Sequence, residues 1–187
     1  MQNKHFIFPL LMVSCAMLSS CKKSSVTDAV VITPVTLAFT ASSASFTNNG
    51  TFPKLYTCDS TGISPKLSWT NAPAGTTSFA ITIHHIPPTP PNHVYMVLYN
   101  IPSTVTSIPD AVSAIGLFGI NTVNGQTSYT PPCSQGPGPK LYTITVYALS
   151  SAPVFNVTQP QVIMDILLNA ISSKTLATSI MNVTYTR

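Results

Sequence analysis

The feature that most constrains this chain is a set of period-two apolar runs, each closed by residues that stop a strand. Phe79, Ile81, Ile83 and His85 share one parity, and Ser78, Ala80, Thr82 and His84 share the other. Successive side chains of a strand point to opposite faces, so this alternation specifies a β-strand with two distinct faces. Val94 to Tyr99 is apolar at both parities, as expected for a strand covered on both sides. Leu141 to Leu149 is dense in β-branched and aromatic residues, and Ile180 to Thr186 supplies a last extended run. Between the runs lie Asn48-Asn49-Gly50, Pro87-Pro88-Thr89-Pro90-Pro91-Asn92 and Gln135-Gly136-Pro137-Gly138-Pro139, which turn the chain. We find no internal repeat.

One late segment departs from this pattern. Thr158-Gln159-Pro160-Gln161 has the form of a capping box with proline early in the first turn, where its missing N–H costs little. Val162, Ile163, Met164, Ile166, Leu167, Leu168 and Ile171 follow, so the predicted helix is apolar nearly all round and should be packed. The expectation is an all-β (mainly β) domain with one C-terminal helix before the last strand.

Charge narrows the function classes. Only 6% of residues are charged, against roughly 25% in a typical soluble domain. Long exposed helices, usually dressed with Glu, Lys and Arg, do not fit, and nor does disorder, because 44% of the residues are hydrophobic. The net charge of +4 comes from scattered cations rather than a basic face, which argues against nucleic acid as a partner. The acids are Asp28, Asp59, Asp110 and Asp165, with no Glu, and none lies near another in sequence, so paired-carboxylate catalysis has little to draw on.

Residues 1–20 read as an export leader: Lys4 provides the basic region and Phe6 to Leu18 the apolar core. That core is too short for a transmembrane helix, which needs about 20 apolar residues. It ends in Leu18-Ser19-Ser20-Cys21, which looks like a bacterial lipobox with Cys21 as the acylated N-terminus of the mature chain. Residues 21–36 then form a polar tether and 37–187 the folded domain. The expected location is the cell envelope, on a membrane anchor facing the periplasm or exterior. In that oxidising setting Cys58 and Cys133 are either a disulfide or two independent buried thiols.

An ordered series of motifs carries a family resemblance. Leu55-Tyr56-Thr57-Cys58-Asp59, Ile63-Ser64-Pro65-Lys66-Leu67-Ser68-Trp69 and Ser78-Phe79-Ala80 come first. Val97-Leu98-Tyr99-Asn100-Ile101-Pro102, Gly119-Ile120-Asn121, Tyr129-Thr130-Pro131-Pro132-Cys133 and Tyr142 to Leu149 follow. From about Phe46 to Arg187 the chain resembles the phosphatidylethanolamine-binding protein (PEBP) family, in its bacterial Raf kinase inhibitor-like branch. The resemblance implies a β-sandwich with Greek-key connections and a small pocket that takes phosphate, acetate or a phospholipid headgroup.

Several of the family's pocket groups are replaced in this sequence. Where the family has an Asp-Pro-Asp segment, this chain has His84-His85-Ile86-Pro87, so both carboxylates are missing and His85 stands at the first. The family's pocket histidine aligns with Tyr95, while His93 lies two residues earlier on the same strand face. The His-Arg-Tyr segment becomes Lys140-Leu141-Tyr142, and the Gly-Pro loop survives only as Pro131-Pro132, following Tyr129. The implied ligand-binding set is therefore His85, His93, Tyr95, Tyr129, Pro132, Lys140 and Tyr142.

Converging cationic and hydroxyl donors suit an anion. A headgroup ammonium would lack its carboxylate partner, so selectivity for zwitterionic headgroups should fall.

Other chemistries find less support. His84 and His85 point to opposite faces and cannot readily share one ion, and no third ligand is near, so no metal and no cofactor are expected. No Gly-x-Ser-x-Gly elbow is present for a nucleophile, and Asp59 reads as a turn or network residue. The expectation is a non-enzymatic, lipid-anchored binding protein for a small anion or headgroup. The alternative is an inhibitor or interaction protein for an envelope protease or kinase, with a degenerate pocket.

Overall fold

The computed structural model describes residues 37–187. The expected leader and tether, with the expected acylation site at Cys21, lie outside the described residues.

Two sheets form the domain. The smaller has the order β1 (Thr40–Ser42), β3 (Leu67–Thr70), β6 (Ser107–Ile108). The larger runs β2 (Gly50–Thr51), β9 (Thr175–Tyr185), β8 (Lys140–Leu149), β4 (Ser78–His85), β5 (His93–Pro102), β7 (Leu117–Phe118). Within it β4 is antiparallel to both β5 and β8, and β8 is antiparallel to β9. The chain is thus mainly β, with a single α-helix among the described residues, α1 (Met164–Ile171), just before the last strand.

Each face of the large sheet has its own apolar layer. On one side Phe79, Ile81, Ile83, Ile144, Val146, Met181 and Val183 meet Leu67, Trp69 and Ile108 of the small sheet. The Trp69 and Phe79 rings lie 5.1 Å apart at the core of this sandwich. On the other side Ala80, Val97, Tyr99 and Leu149 pack against Val162, Met164, Leu167 and Ile171. The double covering explains why β4 and β5 are buried at both parities, as their sequences anticipate.

Strict alternation fails at more than one place, and the site depends on the break near the start of β5. Ile83 pairs with Met96 and His84 with Val94, which leaves Tyr95 as an extra residue in β5. This bulge resets the faces: Tyr95 and Met96 both join the sandwich-side cluster, whereas Val94 and Val97 both join the helix-side cluster. Without it, Tyr95 would share the face of Val97 and Tyr99, under the helix.

The capping box at Thr158 is present, but it caps a 3-10 turn, Gln159–Gln161, and the α-helix begins only at Met164. Val162 is extended because its carbonyl accepts a hydrogen bond from the Ile120 N–H at 2.7 Å. The close approach requires glycine next door: a Cβ on Gly119 would collide with the Val162 carbonyl and the Val97 side chain.

Cys58 and Cys133 form a disulfide, with Cα atoms 5.3 Å apart across 75 residues of sequence. Closing a loop of that length stabilises the fold by about 4 kcal/mol on the chain-entropy account.

Candidate functional site

Antiparallel pairing brings the C-terminal end of β4 and the N-terminal ends of β5 and β8 to one edge of the large sheet. His85, His93 and Lys140 sit at these ends. A cavity of about 470 Å³ opens there, lined by His85, His93, Tyr95, Lys140 and Tyr142 from the strands. Loop residues complete the wall: Pro87 and Pro88 on one side, Thr122 and Val123 on another, and Cys133, Ser134 and Gln135 on a third.

The loops are held by polar groups that sequence reading did not single out. Buried Asn121 uses its amide nitrogen to donate to the Gln126 and Ser128 carbonyls at 2.9 and 3.2 Å. Its amide oxygen accepts from the backbone N–H groups of Val123 and Asn124 at 3.1 and 2.9 Å. Thr122 ties this loop to β5, accepting from the Val94 N–H at 2.8 Å and donating to the Asn92 carbonyl at 3.0 Å. The third wall is fixed by the disulfide and by the Cys58 N–H, which donates to the Pro132 carbonyl at 3.1 Å. The prolines restrict the remaining segment through their locked φ.

Five of the seven expected residues meet in the cavity. Tyr142 is 1% exposed, with its ring centre 5.5 Å from that of Tyr95 and 5.6 Å from that of His85. Tyr129 and Pro132 are not among the lining residues. The Tyr129 hydroxyl is instead spent on the Tyr56 carbonyl, and Pro132 contributes through its backbone bond to Cys58. Both support the wall from behind. Ser134, Gln135 and Thr122 are polar lining groups that the motifs did not signal.

Burial pushes the Tyr95 hydroxyl pKa up, reinforced by Tyr142 beside it. Burial likewise raises Tyr142, opposed in part by the polar groups of Ser134 and Tyr95. Both phenols therefore stay protonated and can donate at neutral pH. His85 is oriented by a 2.7 Å contact from its Nδ1 to the Leu141 carbonyl. A carbonyl only accepts, so Nδ1 carries the proton and Nε2 presents its lone pair. Ser134 is 3% exposed, and its hydroxyl, beside that of Tyr142, closes no hydrogen bond of good geometry among the described residues.

Among the described residues, no carboxylate lines this cavity. Asp110 accepts from the Tyr56 hydroxyl at 3.0 Å and from the Lys66 N–H at 2.7 Å. Asp59 pairs with Arg187 at 2.9 Å and accepts from the Tyr185 hydroxyl at 2.7 Å. Asp165 sits in the first turn of α1, where the helix dipole favours a negative charge.

The fold agrees with comparisons to known proteins. Residues 42–186 match the sequence model of the family described as "Phosphatidylethanolamine-binding protein". The chain belongs to the phosphatidylethanolamine-binding protein family. A UPF0098 protein of Chlamydia muridarum is 30% identical over 149 residues, covering 76% of this chain and 95% of that protein. A UPF0098 protein of Aquifex aeolicus is 35% identical over 114 residues, 58% of this chain and 66% of the relative.

Among solved structures, the PEBP homolog CT736 from Chlamydia trachomatis aligns with a TM-score of 0.72 at 26% identity. That alignment covers 80% of this chain and 98% of the homolog. YbcL of E. coli, described as a member of the mammalian PEBP family, gives the same TM-score of 0.72 at 22% identity. It covers 81% of this chain and 99% of YbcL, and it speaks to the fold alone.

Proposed function

We propose that this chain is a non-catalytic binding protein whose cavity holds a small anion, either free phosphate or carboxylate or the phosphate of a lipid headgroup. One observation carries the reading: the cavity gathers Lys140, His85, His93 and the Tyr95 and Tyr142 hydroxyls, and no carboxylate among the described residues lines it. The Lys140 ammonium and the two phenol O–H donors in a partly desolvated recess favour negative charge. The missing carboxylates also remove what would reward a headgroup ammonium, so phosphate and phosphoethanolamine should bind about equally.

The same proposal places the chain in the cell envelope, exported by residues 1–20 and anchored through acylated Cys21. The disulfide supports an oxidising compartment. Calorimetric titration of the full chain with phosphate, in chelator, tests the binding reading. Saturable one-to-one heat that Lys140→Met removes supports it. Heat that is absent, or indifferent to Lys140, contradicts it.

A further inference from the structure

His85 and His93 stand directly opposite each other on neighbouring antiparallel strands, His85 closing β4 and His93 opening β5. Opposed residues of such a pair have Cβ atoms about 4.5–5.5 Å apart, which lets their side chains converge on one point. Their ring centres are 6.0 Å apart, and both rings line the cavity. Metal–nitrogen bonds of about 2.0–2.1 Å put each ring centre about 3.2 Å from a shared ion, a span of about 6.4 Å at most. The observed spacing lies within that span, so one ion can bridge the pair when a nitrogen of each ring turns toward it.

The hydrogen bonding of His85 points the same way. Histidines that bind metal typically donate their other ring N–H to a carbonyl or carboxylate, which fixes the tautomer and the ring plane. The His85 Nδ1 contact with the Leu141 carbonyl at 2.7 Å provides this and leaves Nε2 as the ligating nitrogen. The adjacent His84 does not share the site: its neighbouring strand position places it on the opposite face. Among the described residues no group of three His, Cys, Asp or Glu side chains could hold an ion, so the pair is open rather than caged.

We propose that His85 and His93 form a two-histidine site for a borderline-soft transition-metal dication such as Cu²⁺ or Zn²⁺, with its remaining positions open to the cavity. Imidazole suits these ions, and Cu²⁺ binds most tightly in the divalent series. Lys140 lines the same cavity, and its charge disfavours a bare dication. A carboxylate or phosphate oxygen on the open positions would balance both charges. The site does not depend on the anion reading, because metal binding is measured without added anion.

The test is titration of the purified full chain with Cu²⁺ in a non-coordinating buffer, followed by electron paramagnetic resonance. The expected result is one ion per chain and a superhyperfine pattern from two imidazole nitrogens. His85→Ala and His93→Ala should each weaken binding by about tenfold or more and reduce the pattern to one nitrogen or none. His93 is exposed, so its variant keeps the fold, which circular dichroism verifies. Binding unchanged by His93→Ala, or a spectrum without two equivalent nitrogens, overturns the proposal. Phosphate titrated in chelator, as above, separates a failure here from a failure of the anion reading.

Discussion

Two regions of this protein handle polar groups in opposite ways. Around Asp59 and Asp110 donors and acceptors are matched. The Tyr185 hydroxyl and Arg187 satisfy one carboxylate, and the Tyr56 hydroxyl and the Lys66 N–H satisfy the other. At the cavity the balance is left open. Lys140, two histidines and two phenols face the space with no carboxylate among them, and the Ser134 hydroxyl closes no hydrogen bond of good geometry among the described residues. Buried polar groups are ordinarily paired, so a recess where a lysine, two histidines and two phenols gather without a carboxylate is the candidate for a role outside folding. On the proposed reading, the first region serves stability and the second serves binding.

Substitutions should separate these two roles. The largest expected effect is structural: replacing both Cys58 and Cys133 with alanine should cost about 4 kcal/mol of unfolding free energy. Denaturant midpoints of the oxidised protein and the double variant measure it. Because Cys133 also lines the cavity, phosphate affinity should fall in the folded variant as well.

Next comes Lys140→Met, which removes a charge-assisted hydrogen bond of about 1.5–3 kcal/mol from the ligand, a ten- to hundredfold loss of phosphate affinity. Its unfolding midpoint should stay within about 0.5 kcal/mol of the parent, as for an ordinary surface change.

Asp59→Asn should invert that pattern. It should lose about 1–2 kcal/mol of stability through the Tyr185 and Arg187 contacts, the exposed Arg187 adding little, with phosphate affinity intact. A Lys140 variant that unfolds early, or an Asp59 variant that binds poorly, would break the separation.

Ser134→Ala makes a finer distinction. The free protein loses an unpaired buried hydroxyl, so stability should hold or rise slightly, while phosphate affinity falls by about 1 kcal/mol. If Ser134→Ala destabilised the free protein without touching binding, the hydroxyl would belong to the structural region.

The smallest effect concerns pH. Burial, and then the neighbouring His85, hold the half-buried His84 below its ordinary value of 6.5. A base with a lowered folded pKa is charged more readily when unfolded, so its stability contribution is present above pH 6.5 and shrinks as pH falls. Melting temperatures from pH 7.5 down to 5 should drop less steeply in His84→Gln than in the parent.

Much of the fold was legible in the sequence because the strands obey a physical rule that reads directly from residue order. Phe79, Ile81 and Ile83 alternate and pack where alternation places them. The doubly apolar Val94–Tyr99 run has a sheet on one side and a helix on the other. The helix boundary was less legible, since the Val162 carbonyl answers to Ile120, a residue 42 positions earlier. The bulge at Tyr95 was not visible either, because it is set by the register of β5 against β4.

The site followed the same division. His85, His93, Tyr95, Lys140 and Tyr142 lie on strands whose faces can be counted, and they converge. Ser134, Gln135 and Thr122 lie on loops whose paths depend on Asn121 and on the disulfide. Tyr129 and Pro132 were placed by motif alone, and their hydrogen bonds turn them to supporting the wall.

The central claim is that this cavity recognises an anion without a carboxylate to welcome a cation beside it. Paired calorimetric titrations of the full chain in chelator, with phosphate and with phosphoethanolamine, test it most directly. The account predicts that phosphate binds one to one and that phosphoethanolamine binds no tighter. A clear preference for phosphoethanolamine, or no binding of either, would contradict it.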